Sequence, residues 1–241
     1  MPAVLDPPLD LQMSDLLRRE EGSRAREMPP RVMAAILELR QQAEQERLIR
    51  PAFVYEVHPV KEMLEERIAL AGGAALDGRM LVTRLRAASR IAVLVGTIGA
   101  ALERRSAEWQ EAQDPFRALL LDGIGNAAMD ALSREMCRAM TALAAAERLH
   151  ASGPLAPGIH GIPLDNQPLL LRLAGAERIG VELSSAWMMV PVKSISMVIG
   201  IGEEQESWDK AQACEWCGLK TRCAYRVRAS AGAAPAPAGS P

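Results

Sequence analysis

The stretch IAVLVGTIGAAL, Ile91 to Leu102, is the longest apolar run in the chain, and its reading decides the fold. It is too short to cross a bilayer, which takes about 20 residues. Its first half, Ile91 to Val95, is an unbroken apolar block of the kind found in a strand buried on both faces. From Ile98 the spacing turns helical. A buried strand feeding a helix indicates a layered protein of mixed class, and the flanking sequence settles which.

On the N-terminal side, Val32, Met33, Ile36 and Leu37 recur at helical spacing between Pro30 and about Ile49. A short helix is expected from Val60 to Ala71 and a strand over Arg79 to Arg86 (RMLVTRLR). On the C-terminal side a long helical region covers Pro115 to His150, with Gly123 and Gly125 marking a close contact or a break. Ala151 to Gly161 reads as a loop, and Asp165 as the cap of a short helix over Gln167 to Leu173. Ile179 to Leu183 and Ser194 to Ile201 read as strands joined through the MMVP turn. Strands and helices that do not alternate strictly indicate α+β: an antiparallel or mixed sheet packed with helices, followed by a cysteine-rich C-terminal hairpin.

The chain has 241 residues, 49% of them hydrophobic, with 28 basic against 30 acidic side chains. No basic stripe of the kind that displaces counterions is present, so nucleic acid is not an expected partner. No span for a membrane and no signal peptide are recognisable, and a cytoplasmic location is expected. In that compartment thiols stay reduced, so clustered cysteines read first as metal-binding or redox-active.

Three of the four cysteines stand in CEWCGLKTRCAYR, Cys214 to Arg226, as C-x2-C-x5-C. Two thiolates two residues apart can hold one metal from a tight turn, and Cys223 can close over the same centre. Arg222 and Arg226 favour an anionic iron–sulfur cluster over zinc, which wants a fourth ligand. Free thiols are the plain alternative, and a disulfide a weaker one. Cys137, within REMCRAM, reads as a buried small hydrophobe. His58 and His150 read as surface or capping residues, and no Ser–His–Asp or Cys–His arrangement is recoverable, so no catalytic residue is assigned.

The loop PLAPGIHGIPLDNQ, Pro154 to Gln167, is the best small-molecule candidate, because Gly158 and Gly161 let the backbone approach a ligand. Its ordinary reading is a connection between elements. Met188 and Met189 read as core filler, and Lys193 beside Ser194 and Ser196 as an anion contact or a solvated edge.

Four segments carry a resemblance together: VGTIGAALE (Val95 to Glu103), LDGIGN (Leu121 to Asn126), PGIHGIPLDNQ (Pro157 to Gln167) and WMMVPVKSISMVIG (Trp187 to Gly200). In that order they resemble the activation (reactivation) domain of cobalamin-dependent methionine synthase, in its short stand-alone form. Stand-alone relatives end in a cysteine cluster followed by an aromatic residue and Arg, matched here by Cys223, Tyr225 and Arg226. The similarity runs from about Met28 to Arg226.

This resemblance implies a C-shaped α+β fold with a twisted antiparallel sheet. It also implies that the chain presents S-adenosylmethionine, so that one-electron reduction and methylation restore a cobalamin that has oxidised from cob(I) to cob(II). The implied partner is a corrinoid-binding protein, or a methionine synthase lacking its own activation domain. The lining carried over is Pro157, Gly158, His160, Met188, Met189, Pro191, Lys193 and Ser194, with Cys214, Cys217 and Cys223 as metal ligands. The family's Arg-x-x-x-Gly-Tyr loop is altered here, with Pro154 in place of the Arg and Ile159 in place of the aromatic. Loss of that Arg removes a bidentate carboxylate contact. The competing reading is therefore a binding or scaffold protein without the methyl donor, carrying a structural zinc hairpin. The expected division is an extension (1–27), the activation-like domain (28–206), the cysteine-rich segment (207–228) and a disordered tail (229–241).

Overall fold

A computed structural model describes residues 3–11, 29–159, 161–218 and 220–221. His160, Arg222, Cys223, Tyr225, Arg226 and the expected tail lie outside the described residues. The elements in order are β1 (Ala3–Leu5), α1 (Pro30–Gln45), β2 (Ala52–Met63), β3 (Arg67–Leu70), β4 (Ala75–Asp77), α2 (Arg79–Leu85), β5 (Arg90–Thr97), α3 (Ala101–Glu111) and α4 (Pro115–Ala146). They continue with β6 (His150–Ala151), α5 (Gln167–Ala174), β7 (Glu182–Leu183), β8 (Met189–Val190), β9 (Ser194–Gly202) and α6 (Lys210–Glu215).

β5 is the centre of the sheet, as its apolar block predicts. The strand order is β4-β3-β2-β5-β9-β6, with β1 added beside β2. Every pairing is antiparallel. Ile91, Val93 and Val95 point to one face and Ala92 and Leu94 to the other, and all five are fully buried. The strand is covered on both sides, which is why it reads as continuous rather than alternating. One face packs on α1, α3 and α4 through Leu102, Leu121, Leu132, Met136 and Met140. The opposite face packs on α2 and α5 through Leu81, Leu85, Leu170 and Leu171.

Two expected elements change type. Val60 to Ala71 is not a helix but the turn of the β2–β3 hairpin with its flanking strand residues. The strand begins upstream at Ala52, and β2 carries its β-branched and aromatic residues there, in Phe53, Val54, Tyr55 and Val57. Arg79 to Leu85 is a helix, because Leu81 and Leu85, four apart, are the residues it buries. Ile179 to Leu183 shrinks to the two-residue β7 after a 3-10 turn over Ala176–Ile179. Asp165 makes no cap: α5 starts from Asn166 with Pro168 in its first turn, while the Asn166 side chain bonds Asp77. The long helix α4 runs unbroken through Gly123 and Gly125. Cys214 lies on α6, a short helix with a reciprocal Asp209–Gln212 capping box, rather than on a hairpin. No helix among the described residues is long and apolar enough to cross a membrane.

Candidate functional site

The segment after β8 is fixed by three separate parts of the chain. Thr97, at the end of β5, donates from Oγ1 to the Lys193 carbonyl (3.1 Å) and accepts from Ser194 Oγ (3.0 Å) and Gly99 N–H (3.0 Å). Ile98 N–H donates to the same Lys193 carbonyl. From α3, Glu103 Oε2 accepts the N–H of Val192 (2.9 Å) and of Lys193 (3.4 Å). From α4, Asp122 and Asn126 take the Lys193 ammonium, at 2.7 and 2.6 Å. Asn126 also donates to Asp122 (3.2 Å), closing a three-residue ring of polar contacts.

The Lys193 side chain is only 12% exposed while Asp122 is 38% exposed, so the pair lies at the rim of the fold. Its neighbourhood is chemically mixed, with two carboxylates and one ammonium. Helix α4 reaches this point because Gly125 lets it: a Cβ there would stand 2.8 Å from Leu102 and 3.2 Å from the Lys193 stem. Gly96, in the first motif, is equally constrained, since a Cβ there would stand 2.7 Å from Met136 Sδ. Three of the four resemblance segments therefore converge on Lys193. The polar residues inside two of them (Thr97 and Glu103, Asp122 and Asn126) were the signal that composition hid, since each motif is otherwise apolar.

The segment leading into Lys193 exposes apolar side chains. Trp187, Met188, Val190 and Val192 are all 41% exposed or more, an uncommon concentration for a single small hairpin. Met188 is thus on the surface rather than in the core, while Met189 packs against the core and Pro191 is buried. The fourth segment approaches from β9. Leu155 pairs with Val198, and the loop runs antiparallel to β9 towards the end that carries Ser194. Within it Pro157 is buried, and Gly158 is exposed at φ 77°, a backbone conformation that favours glycine. Gly158 N–H bonds the Ile162 carbonyl across the loop (2.9 Å), and Ile159 is exposed.

Cys214 and Cys217 lie elsewhere, beyond β9. Cys214 and Cys217 are half-buried and sit on one turn, with Cys217 N–H donating to the Cys214 carbonyl (3.4 Å). The two thiols thus stand three residues apart on one turn, and thiols are the donors a soft metal centre uses. Among the described residues there is no group of three metal-ligating side chains. Cys137 is a free thiol on α4 whose pKa burial pushes up to about 11. His58 is not a surface residue in full: its Nε2 is buried without a partner, as is Glu56 Oε2 two residues before it on β2.

No family model matches the chain, and no curated protein matches it. Among solved structures it matches the crystal structure of the MetH reactivation domain bound to AdoHcy. The fold is the same. The TM-score is 0.55 at 12% identity, over 77% of this chain and 70% of that one. At that identity the likeness establishes the α+β architecture, an antiparallel sheet packed with helices.

Proposed function

We propose that the protein is an accessory in the reactivation of a corrinoid protein or in methyl transfer to it. One observation carries the reading: on this fold, three sequence-distant segments meet at Lys193 beside an exposed apolar hairpin. S-adenosylmethionine carries a sulfonium and a zwitterionic tail, and Glu103, Asp122 and Lys193 offer both signs of charge at one rim. Pro157, Gly158, His160, Met188, Met189, Pro191 and Ser194 complete the proposed lining. The exposed Trp187, Met188, Val190 and Val192 suit the broad apolar face of a corrin presented by a partner. The protein's own part is positioning: it holds the donor and excludes water from it. Cys214, Cys217 and Cys223 are proposed ligands of an iron–sulfur cluster, which would supply the electron.

Calorimetric titration with S-adenosylmethionine tests the donor site, with saturable one-to-one binding expected and its absence overturning it. Anaerobic purification followed by iron analysis tests the cluster, where a brown, iron-containing protein is expected. A second reading is favoured by Pro154 and Ile159 and by the engagement of the Lys193 ammonium with Asp122 and Asn126. It is a scaffold protein without methyl donor and with zinc at the cysteines. One zinc, no iron and no donor binding would establish it in place of the first.

A further inference from the structure

After β9 the chain folds back over the molecule at one junction. Gln205, 4% exposed, donates from Nε2 to the carbonyls of Arg84 (3.1 Å) and Glu206 (3.0 Å). Trp208 lies so close to Gly153 that a Cβ on Gly153 would overlap its ring. Trp216, between Cys214 and Cys217 in sequence, stacks under the Arg84 guanidinium at 4.0 Å from the ring centroid. It meets Trp208 edge-on, with centroids 5.7 Å apart at 82°. Gly153 opens the glycine-rich loop, whose internal bonds run from Gly158, Ile159 and Ile162 N–H.

The junction is held by ring contacts and by Gln205, and opposed by polar atoms that it leaves unpaired. Arg84 Nε, Gln205 Oε1 and Trp208 Nε1 are buried there without a hydrogen-bond partner. Each such atom loses water on docking without replacement, and each regains it on release. A contact built in that way belongs to the part of a fold that opens locally before the core does.

We infer that Gln205 to Cys217 is a releasable strap that couples the chemical state of Cys214 and Cys217 to the glycine-rich loop, through Trp216, Trp208 and Gly153. Its functional meaning rests on that loop facing the ligand. A group attached at either sulfur strains the single turn that carries Trp216. Trp216 then leaves Arg84, Trp208 loses its edge contact, and the space over Gly153 opens.

The test uses the full chain with Cys137→Ala and Cys223→Ser, so that only Cys214 and Cys217 remain reactive. After alkylation of both with iodoacetamide, hydrogen exchange at the amides of Gly158, Ile159 and Ile162 is expected to speed up about fivefold, with α4 amides unchanged. In the reverse direction, Gly153→Ala displaces Trp208 and should speed alkylation of the two thiols by about the same factor. Arg84→Gln, which adds nothing to the loop, should do likewise. Unchanged loop exchange after alkylation, or unchanged thiol rates in both variants, overturns the coupling. Neither readout needs a methyl donor. A loop that binds no S-adenosylmethionine but still answers to alkylation therefore keeps the coupling and removes the donor.

Discussion

Gly123 and Gly125 stand two residues apart on one helix and have opposite surroundings. A Cβ at Gly123 meets nothing within 4 Å, whereas one at Gly125 is pressed between Leu102 and Lys193. Alanine improves helix propensity by about 1 kcal/mol at either position. Gly123→Ala should therefore raise stability by roughly that amount, and Gly125→Ala should lower it by about 1–2 kcal/mol once overpacking is included. Urea denaturation of the two variants checks both signs. Asp122→Ala should cost about 1–3 kcal/mol, because it leaves a largely enclosed ammonium with only Asn126 as partner. Adding Lys193→Met should recover much of that loss in a double-mutant cycle. Cys137 gives a third residue-level expectation. With its thiol pKa raised to about 11 by burial, it is almost wholly protonated at pH 8 and should react with disulfide reagents only on unfolding. The unfolded chain releases this proton first, near the ordinary value of 9.0. Stability should therefore fall as pH rises from about 9 towards 11, by a margin that Cys137→Ala removes.

Among the elements, the β7–β8 hairpin and Val192 expose apolar side chains that contribute little to the core. Met188→Ser and Val192→Ser should accordingly leave stability within about 0.5 kcal/mol of the parent. If the hairpin meets a corrin, the same changes should weaken cobalamin binding followed by absorbance, and unchanged binding would remove that role. Element type was legible where burial imposed one clear period. β5 announced itself by an unbroken apolar run, β9 by its apolar stretch from Met197 to Ile201, and α4 by its length. The misread elements are those in which two periods coexist. RMLVTRLR alternates in part, yet its two buried leucines are four apart, and the helix wins because only that spacing puts both on the face it turns to the core. Val60 to Ala71 contains the exposed turn between two strands, so its charged residues imitate a helix surface. The site was legible as motifs but not as a place. Lys193 could be named from sequence, but its partners could not, since Asp122 lies 71 positions away and reaches it only once the sheet and α4 are assembled.

At the scale of the molecule, one sheet carries two cores, and the proposed site and the cysteine segment sit at different places on its margin. The Lys193 ring closes over the end of β5 and the start of β9. Cys214 and Cys217 follow the other end of β9, where Trp216 between them meets Arg84 of α2 and Ser152 bonds Gly200 beside the β6 edge. The cysteine segment is expected to be separable from the sheet on which its tryptophans pack. Among its described residues the larger contacts with the rest are Trp208, Ala213 and Trp216, of which only Ala213 is buried. A chain ending at Glu206 keeps Gln205 and its bond to the Arg84 carbonyl, and loses only the strap beyond it. Removing a half-buried tryptophan pair forfeits about 1–2 kcal/mol of apolar burial and cation–π contact, partly offset by rehydration of Arg84 Nε. Such a truncation should therefore unfold in a single transition with its midpoint lowered by about 2–6 °C. Calorimetry of the truncated and full chains measures the difference. A truncated chain that fails to fold would mean that the sheet depends on the cysteine segment, and that the boundary near residue 206 divides a single unit.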